Sequence, residues 1–252
     1  LALSLEARGC TVAVEGALGP AERLELHRRL VRFLGLDQPL RPFYRAVRED
    51  AVMAPLVRRL RGVRIPQVPS LWEALCWAII GQQINLAFAY RLRNRFIALG
   101  NGLAEPPPGT PLAPLPFPGP EAVLRIPQPA WRAAQFSRQK AAYLVALAGA
   151  FEGGTISEEA LAAAPTEKAE AALRAIKGLG PWSVAYALLR AMGRVDALPV
   201  GDAGLRAALR HHYALPTTPD ARTQVALMEP FRPYRGLATY YFWKSLEHLR
   251  QE

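Results

Sequence analysis

A nearly unbroken succession of helix signals occupies the chain from Ser70 to its end. It opens with Ser70 and Glu73 at the spacing of a capping box, and the apolar residues that follow recur every three to four positions. This pattern predicts helices over residues 70–81, 85–99, 120–126, 137–150, 157–164, 166–176, 182–192, 203–212, 219–228 and 234–250. Such a chain leaves little room for a large sheet, so we expect a mainly α fold.

The beginning of the chain has a different pattern. Apolar residues alternate with small or polar ones over residues 1–16, with Arg8 and Gly9 between the two apolar runs, which predicts two strands joined by a turn. Pro20 then begins a helix that Gly35 ends. We therefore expect a small N-terminal α/β domain over residues 1–62.

Composition excludes several classes of protein. The chain has 252 residues, of which 51% are hydrophobic and 21% charged, so it can form a globular core, and no apolar run is long enough to span a membrane. Cys10 and Cys76 are too few for a disulfide framework or a four-cysteine metal site. Eight prolines between residues 106 and 120 predict a loop. The chain begins at Leu1 instead of Met, which is consistent with a truncated N-terminus, and it shows no export signal.

The net charge of +10 indicates a polyanionic partner such as nucleic acid, because 27 of the 31 basic residues are arginines, whose guanidinium groups suit phosphates. A GC-rich genome would also raise the arginine, alanine and proline content. Charge alone leaves both explanations open.

The sequence Gly178-Leu179-Gly180-Pro181-Trp182 connects two predicted amphipathic helices. The glycines allow a tight turn, and the proline suits the first turn of the next helix. Such a turn exposes backbone N–H groups where a DNA phosphate can bind, so Gly178, Leu179 and Gly180 are candidate contacts with the DNA backbone. The segment is typical of a helix-hairpin-helix motif, although an ordinary connection between packed helices could have the same glycines.

Asp202 is the candidate catalytic residue. It follows a turn that contains Pro199 and Gly201, precedes the predicted helix 203–212, and is one of five aspartates in the chain. The simplest interpretation is an N-cap, whose carboxylate accepts a backbone N–H of the first helical turn. A capping carboxylate keeps its charge, so capping and catalysis are compatible.

Four motifs, taken in order, resemble those of the helix-hairpin-helix DNA glycosylases, in particular the AlkA-like 3-methyladenine DNA glycosylases. They are Ile80-Gly81-Gln82-Gln83-Ile84-Asn85, the hairpin with Trp182 and Tyr186, Val200-Gly201-Asp202, and Arg232-Pro233-Tyr234-Arg235 with Trp243. The resemblance covers about residues 62–250. It implies a glycosylase body of two helical subdomains, one over residues 63–195 with the hairpin and one over 196–252 with the catalytic aspartate.

The resemblance also implies a role for individual residues. Asp202 takes the place of the catalytic aspartate, which stabilises an oxocarbenium-like sugar cation. Trp182, Tyr186, Trp243 and Gln82 would line the base pocket, and Gln83 would be the wedge that fills the gap left by a flipped nucleotide. The alternative is that the aromatic residues simply pack in the core and the glutamines form a polar junction between helices.

Trp182 stands where strand-cutting relatives have a lysine nucleophile, and Lys177 lies before the turn, so the resemblance implies a monofunctional enzyme. No cofactor is expected to be required. The resemblance does imply a site for Na⁺ or K⁺, formed by the backbone carbonyls of Arg174, Ile176 and Leu179. Ala203 replaces a bulky aromatic residue of some relatives, which implies a wider pocket.

The expected function is therefore that of a DNA-3-methyladenine glycosylase of type II. It would hydrolyse the N-glycosidic bond of flipped alkylated bases, such as 3-methyladenine, in double-stranded DNA. Two alternatives stay open, namely a glycosylase for another damaged base and a non-catalytic helix-hairpin-helix module that only binds DNA. We expect a monomer without membrane contact, in the bacterial cytoplasm and associated with the nucleoid.

Overall fold

The computed structural model describes residues 2–6, 9–14, 16–105 and 115–249. These residues contain fourteen α-helices and one two-stranded sheet, which confirms the mainly α fold class. Arg8 of the predicted turn and most of the proline-rich loop lie outside the described residues, while Gly9 of that turn is the first residue of the second strand. None of the helices in the described part has the length and apolar character that crossing a bilayer requires.

The N-terminal unit has the predicted order of elements. Strand β1 (Ala2–Glu6) pairs antiparallel with β2 (Gly9–Ala13), and helix α1 (Pro20–Phe33) follows. Proline fits the first position of α1 because the N–H there has no partner within the helix. The chain leaves the helix through Gly35, whose φ of +64° is readily adopted by glycine. No side chain of α1 is buried, so the main core is formed by the rest of the chain.

All helices predicted from Ser70 onward are present, with each predicted end correct to within two residues, and one helix was not predicted. The remaining elements are α2 (Leu40–Ala46), α3 (Met53–Arg59), α4 (Leu71–Gly81), α5 (Leu86–Gly100), α6 (Pro120–Leu124), α7 (Gln128–Ala133), α8 (Arg138–Glu152), α9 (Glu158–Ala163), α10 (Thr166–Arg174), α11 (Pro181–Met192), α12 (Ala203–His212), α13 (Ala221–Met228), a short 3₁₀ turn (Glu229–Phe231) and α14 (Arg235–Leu249). Helix α7 is an addition, because its proline lies in the first turn, where a proline breaks no helical hydrogen bond.

Helix α4 is the centre of the core. Eight of its eleven residues are buried, and it packs against α5, α8 and α11. Helix α14 packs in turn against α3 and α12. The buried apolar side chains form one cluster that runs from Leu40 to Phe242. The predicted domain boundaries at residues 62 and 195 therefore do not separate two hydrophobic cores. They stay a proposal that rests on the arrangement of the helices.

Candidate active site

The carboxylate of Asp202 lies between two indole rings at the start of α12. Its Oδ1 accepts the backbone N–H of Leu205 at 2.7 Å and the indole N–H of Trp243 at 2.8 Å. Its Oδ2 accepts the indole N–H of Trp182 at 3.0 Å. Asp202 is thus the N-cap of α12, and two further donors from distant helices fix the orientation of both oxygens.

The local sequence explains how Asp202 reaches this position. A turn closed by the bond from the Asp202 N–H to the Pro199 carbonyl precedes it, and Gly201 has a φ of +89°. Two residues later, a Cβ on Gly204 would lie 3.2 Å from Oδ1 of Asp202 and 3.1 Å from Cδ1 of Trp243. Glycine at position 204 therefore allows the indole to approach the carboxylate, a requirement that no motif had indicated.

The aromatic residues predicted for the base pocket do come together. The rings of Trp182 and Tyr186 stack, with centroids 5.4 Å apart and planes 23° apart. Tyr186 is only 8% exposed, and this burial raises the pKa of its hydroxyl. Trp182 and Trp243 are partly exposed, so they offer the accessible aromatic surface beside Asp202, while Tyr186 supports Trp182 from the side of the core.

The two glutamines that follow α4 are in different environments. The side-chain amide of Gln82 donates to the Gly178 carbonyl at 2.9 Å and to Ser183 Oγ at 3.2 Å, so it connects the end of α4 with the hairpin. Gln83 is exposed and has a φ of +57°, which residues with a side chain rarely adopt. The structure therefore presents Gln83 to solvent and uses the Gln82 amide as a link.

The hairpin glycines differ in what surrounds them. Gly178 has a φ of +97°, and a Cβ there would lie 2.3 Å from Cγ of Tyr143, so only glycine fits. Gly180 is exposed, caps α11 without a side chain, and has nothing within 4 Å of the place where a Cβ would be. Between them, Leu179 is buried and donates its N–H to the Ile176 carbonyl at 3.1 Å.

A cavity of about 430 Å³ separates the hairpin from the start of α8. It is lined by Gln82, Gln83, Ile84, Ser137, Gln139, Lys140, Tyr143, Gly178, Leu179 and Gly180. These residues include the predicted wedge and the predicted contacts with the DNA backbone. The cavity therefore brings the residues of these two predicted roles together on one face.

Sequence reasoning missed Lys140. Its ammonium group donates to three backbone carbonyls at the end of α4, and burial lowers its pKa to about 8. The one sequence feature that could have indicated Lys140 is the scarcity of lysine, since the chain has four lysines and 27 arginines. A compact ammonium can meet three carbonyls around one point, which a planar guanidinium cannot do as well.

Metal ligands of the usual side-chain types are not grouped in the described residues, where no three His, Cys, Asp or Glu side chains could share an ion. The predicted cation site uses backbone carbonyls instead. Arg174 is the last residue of α10, so its carbonyl lies at the negative end of the helix dipole, while Ile176 and Leu179 follow the helix and the Ile176 carbonyl also accepts the Leu179 N–H. Oxygen ligands of this kind are suited to a monovalent cation.

A family model described as HhH-GPD superfamily base excision DNA repair protein matches residues 76–233. This range is more than half of the chain and contains both the hairpin and Asp202. The chain belongs to the HhH-GPD superfamily. The family expected from the sequence motifs is thereby confirmed.

Individual relatives of this HhH-GPD protein agree with the family match. A DNA-3-methyladenine glycosylase of Bacillus subtilis strain 168 is 30% identical over 226 residues, which cover 89% of this chain and 73% of the relative. The structure of a 3-methyladenine DNA glycosylase from Archaeoglobus fulgidus matches with a TM-score of 0.76 and 27% identity, over 95% of this chain and 80% of the other. The structure of a Schizosaccharomyces pombe 3-methyladenine DNA glycosylase in complex with abasic DNA matches with a TM-score of 0.65 and 27% identity, over 87% of this chain and 97% of the other.

Proposed function

We propose that this HhH-GPD protein is a monofunctional DNA glycosylase that removes alkylated bases, such as 3-methyladenine, from double-stranded DNA. The observation that carries the proposal is the Asp202 carboxylate, held by the indole N–H groups of Trp182 and Trp243. A capping aspartate needs neither indole. Together they place a negative charge and two aromatic rings at one point of the surface.

In the proposed reaction the damaged nucleotide leaves the helix and its base enters the space beside Trp182 and Trp243. An alkylated purine carries positive charge, and aromatic faces attract such a cation by about 0.5–2 kcal/mol each. The N-glycosidic bond then breaks, and the base leaves with the bonding electron pair, which neutralises its ring. Asp202 stabilises the oxocarbenium-like sugar and orients a water molecule, which adds to C1′ and releases one proton.

The neighbouring residues support DNA binding. Gly180 leaves the first turn of α11 open, so backbone N–H groups there can bind a phosphate. Gln83 is exposed beside this turn and would fill the space of the flipped nucleotide. The net charge of +10 favours a polyanionic partner in general.

A monovalent cation at the hairpin is part of the proposal. The carbonyl groups of Arg174, Ile176 and Leu179 would hold Na⁺ or K⁺, whose charge would attract the phosphate bound at the adjacent α11 N-terminus. Replacing both ions with a tetraalkylammonium salt at constant ionic strength should then weaken binding of undamaged duplex. Equal affinity in both salts would remove the cation from the proposal.

The decisive experiment is base release from a panel of duplexes that carry methylated, ethenylated, deaminated or oxidised bases. Release of alkylated bases supports the proposal, while release confined to oxidised purines favours the other glycosylase specificity. Binding without release of any base would favour the non-catalytic module. Sedimentation of the same preparation tests the proposed monomer, and cell fractionation tests the proposed location in the bacterial cytoplasm near the nucleoid.

A further inference from the structure

We propose that Lys140 is a positioning residue that holds the Gln83 wedge ready for entry into DNA. The proposal rests on the proposed function, in which Gln83 fills the space of a flipped nucleotide. Lys140 lies in the first turn of α8, and the wedge follows the last turn of α4. Lys140 thus connects the chain beside Gln83 to α8, a helix that contains neither the hairpin nor Asp202.

The contacts of Lys140 account for every proton of its ammonium group. Its Nζ donates to the carbonyls of Ile79 at 3.1 Å, Ile80 at 2.7 Å and Gln82 at 2.7 Å. An ammonium has three N–H donors, and the carbonyls at the end of a helix lack partners in a following turn. The positive charge also lies at the negative end of the α4 dipole. Lys140 therefore supplies hydrogen bonds to the end of α4 in addition to the one that the Ile79 carbonyl accepts from the Gln82 N–H at 3.3 Å.

One of these carbonyls belongs to the peptide that joins Gln82 to Gln83. Lys140 fixes its oxygen, and the Gln82 side chain is fixed by the Gly178 carbonyl and Ser183 Oγ. Directly after this peptide, Gln83 has its φ of +57°. An unfavourable backbone conformation persists only where the surroundings enforce it. Lys140 and Gln82 are the groups that enforce it here.

The same contacts argue against a direct role in chemistry. All three protons of Lys140 are used within the protein, so the group is not free to act as an amine nucleophile or to bind a phosphate without giving up a carbonyl. Its effect on DNA must pass through Gln83. This dependence can be measured as an interaction between two substitutions.

The test is a double-mutant cycle of Lys140→Met and Gln83→Ala, with Lys168→Met as the matched control. Lys168 is an exposed lysine of α10 that does not line the cavity beside Gln83, so its loss removes the same charge without removing a contact of the wedge. Single-turnover release of an alkylated base from duplex is measured for each variant, and melting curves show that each is folded. Lys140→Arg is the conservative variant, expected to restore part of the rate because it keeps the charge.

In the wild-type background we expect Lys140→Met to lower the release rate about tenfold or more, the scale on which small misplacements act. In the Gln83→Ala background, Lys140→Met should lower the release rate less than about twofold, because the effects of substitutions at coupled residues do not add. Two results would overturn the proposal. One is a rate loss in the double variant that equals the product of the two single losses, and the other is a Lys140→Met rate equal to that of the Lys168→Met control.

A second readout keeps this proposal separate from the proposed function. A 2-aminopurine placed next to an unpaired site in duplex DNA reports unstacking on binding, whether or not any base is released. If the wild-type protein releases no base but unstacks the probe, the proposed function fails while the wedge proposal is still tested. Lys140→Met should then reduce the fluorescence change, and an unchanged signal would contradict it.

Discussion

The indole N–H of Trp243 donates to Oδ1 of Asp202 over 2.8 Å, although the two residues are 41 positions apart in the chain. The same oxygen accepts the backbone N–H of Leu205. One atom therefore caps a helix and fixes an aromatic ring of the proposed pocket. Helix capping does not require a full negative charge, whereas stabilisation of a sugar cation does, so the two roles can be separated by substitution.

Asp202→Asn should lower base release by about a hundredfold or more, the effect of removing one essential electrostatic stabiliser. The variant should unfold at nearly the same temperature, because asparagine also caps helices. Asp220→Asn is the matched control, since Asp220 caps α13 by accepting the Thr223 N–H at 2.8 Å and lies at an exposed position. If Asp202→Asn releases bases as fast as this control, Asp202 is only a cap.

Trp182→Phe and Trp243→Phe should each keep an aromatic ring and remove one hydrogen-bond donor from Asp202. A hydrogen bond to a charged group contributes about 1.5–3 kcal/mol, so each substitution should lower the single-turnover rate by roughly ten- to a hundredfold. Affinity for undamaged duplex should not change. A loss of affinity with an unchanged rate would mean that the indoles contact DNA instead of orienting the carboxylate.

Gly178→Ala and Gly180→Ala should have opposite consequences. The first forces a Cβ to within 2.3 Å of Tyr143 at a positive φ, so it should destabilise the fold. The second meets no protein atom within 4 Å, so the melting temperature should hold while binding to damaged and undamaged duplex weakens alike. The salt dependence should also become shallower. A stable Gly180→Ala protein with unchanged affinity would make the turn a simple helix connection.

The products should be intact abasic sites, because the family resemblance places Trp182 where strand-cutting relatives have a lysine nucleophile. Borohydride should trap no covalent protein–DNA adduct, and strand breaks should appear only after alkali treatment. Lys140 is held by three carbonyls and Lys177 lies before the hairpin, so neither amine is expected to react. A trapped adduct that disappears in Lys177→Ala would contradict the monofunctional assignment.

Acid should destabilise the protein partly through His212. Ser245 donates its only hydroxyl proton to the Phe242 carbonyl at 2.7 Å, so His212 must donate through Nε2 to the Ser245 oxygen at 2.7 Å. Burial and the neighbouring charge of His211 lower the pKa of His212 from 6.5 to about 4. Between pH 6.5 and 4 the unfolded chain binds this proton and the folded protein does not, so stability falls as the pH falls.

Denaturant unfolding should show that the free energy of unfolding is lower at pH 4.5 than at pH 7 by on the order of 2 kcal/mol through His212. This is less than the full pKa shift would give, because the ring is only half-buried. His212→Gln should lose less stability over the same interval. His27→Gln, a change at an exposed histidine of α1, is the control. Equal losses in wild type and His212→Gln would show that His212 is protonated in the folded state at pH 4.5.

The sequence by itself determined the elements of the fold. Caps such as Ser70 and Asp202, prolines in first turns and glycines after last turns act on their own neighbours, so they define helix ends without knowledge of the rest. Helix α7 was not predicted, because in the sequence a proline in the first turn of a helix looks the same as a proline that breaks a helix. The motifs were equally local, and this is why the family could be identified from their residues and order.

The tertiary structure decided which side chains meet. Spacing showed that Trp182 and Tyr186 share a helix face, but only packing decided that Tyr186 lies buried behind Trp182. The meeting of Asp202 with Trp243 and of Lys140 with the end of α4 depends on contacts between helices distant in the chain. Such contacts leave no periodic signal, because each is fixed by how α4, α8, α11, α12 and α14 pack around one core rather than by any residue's neighbours in sequence.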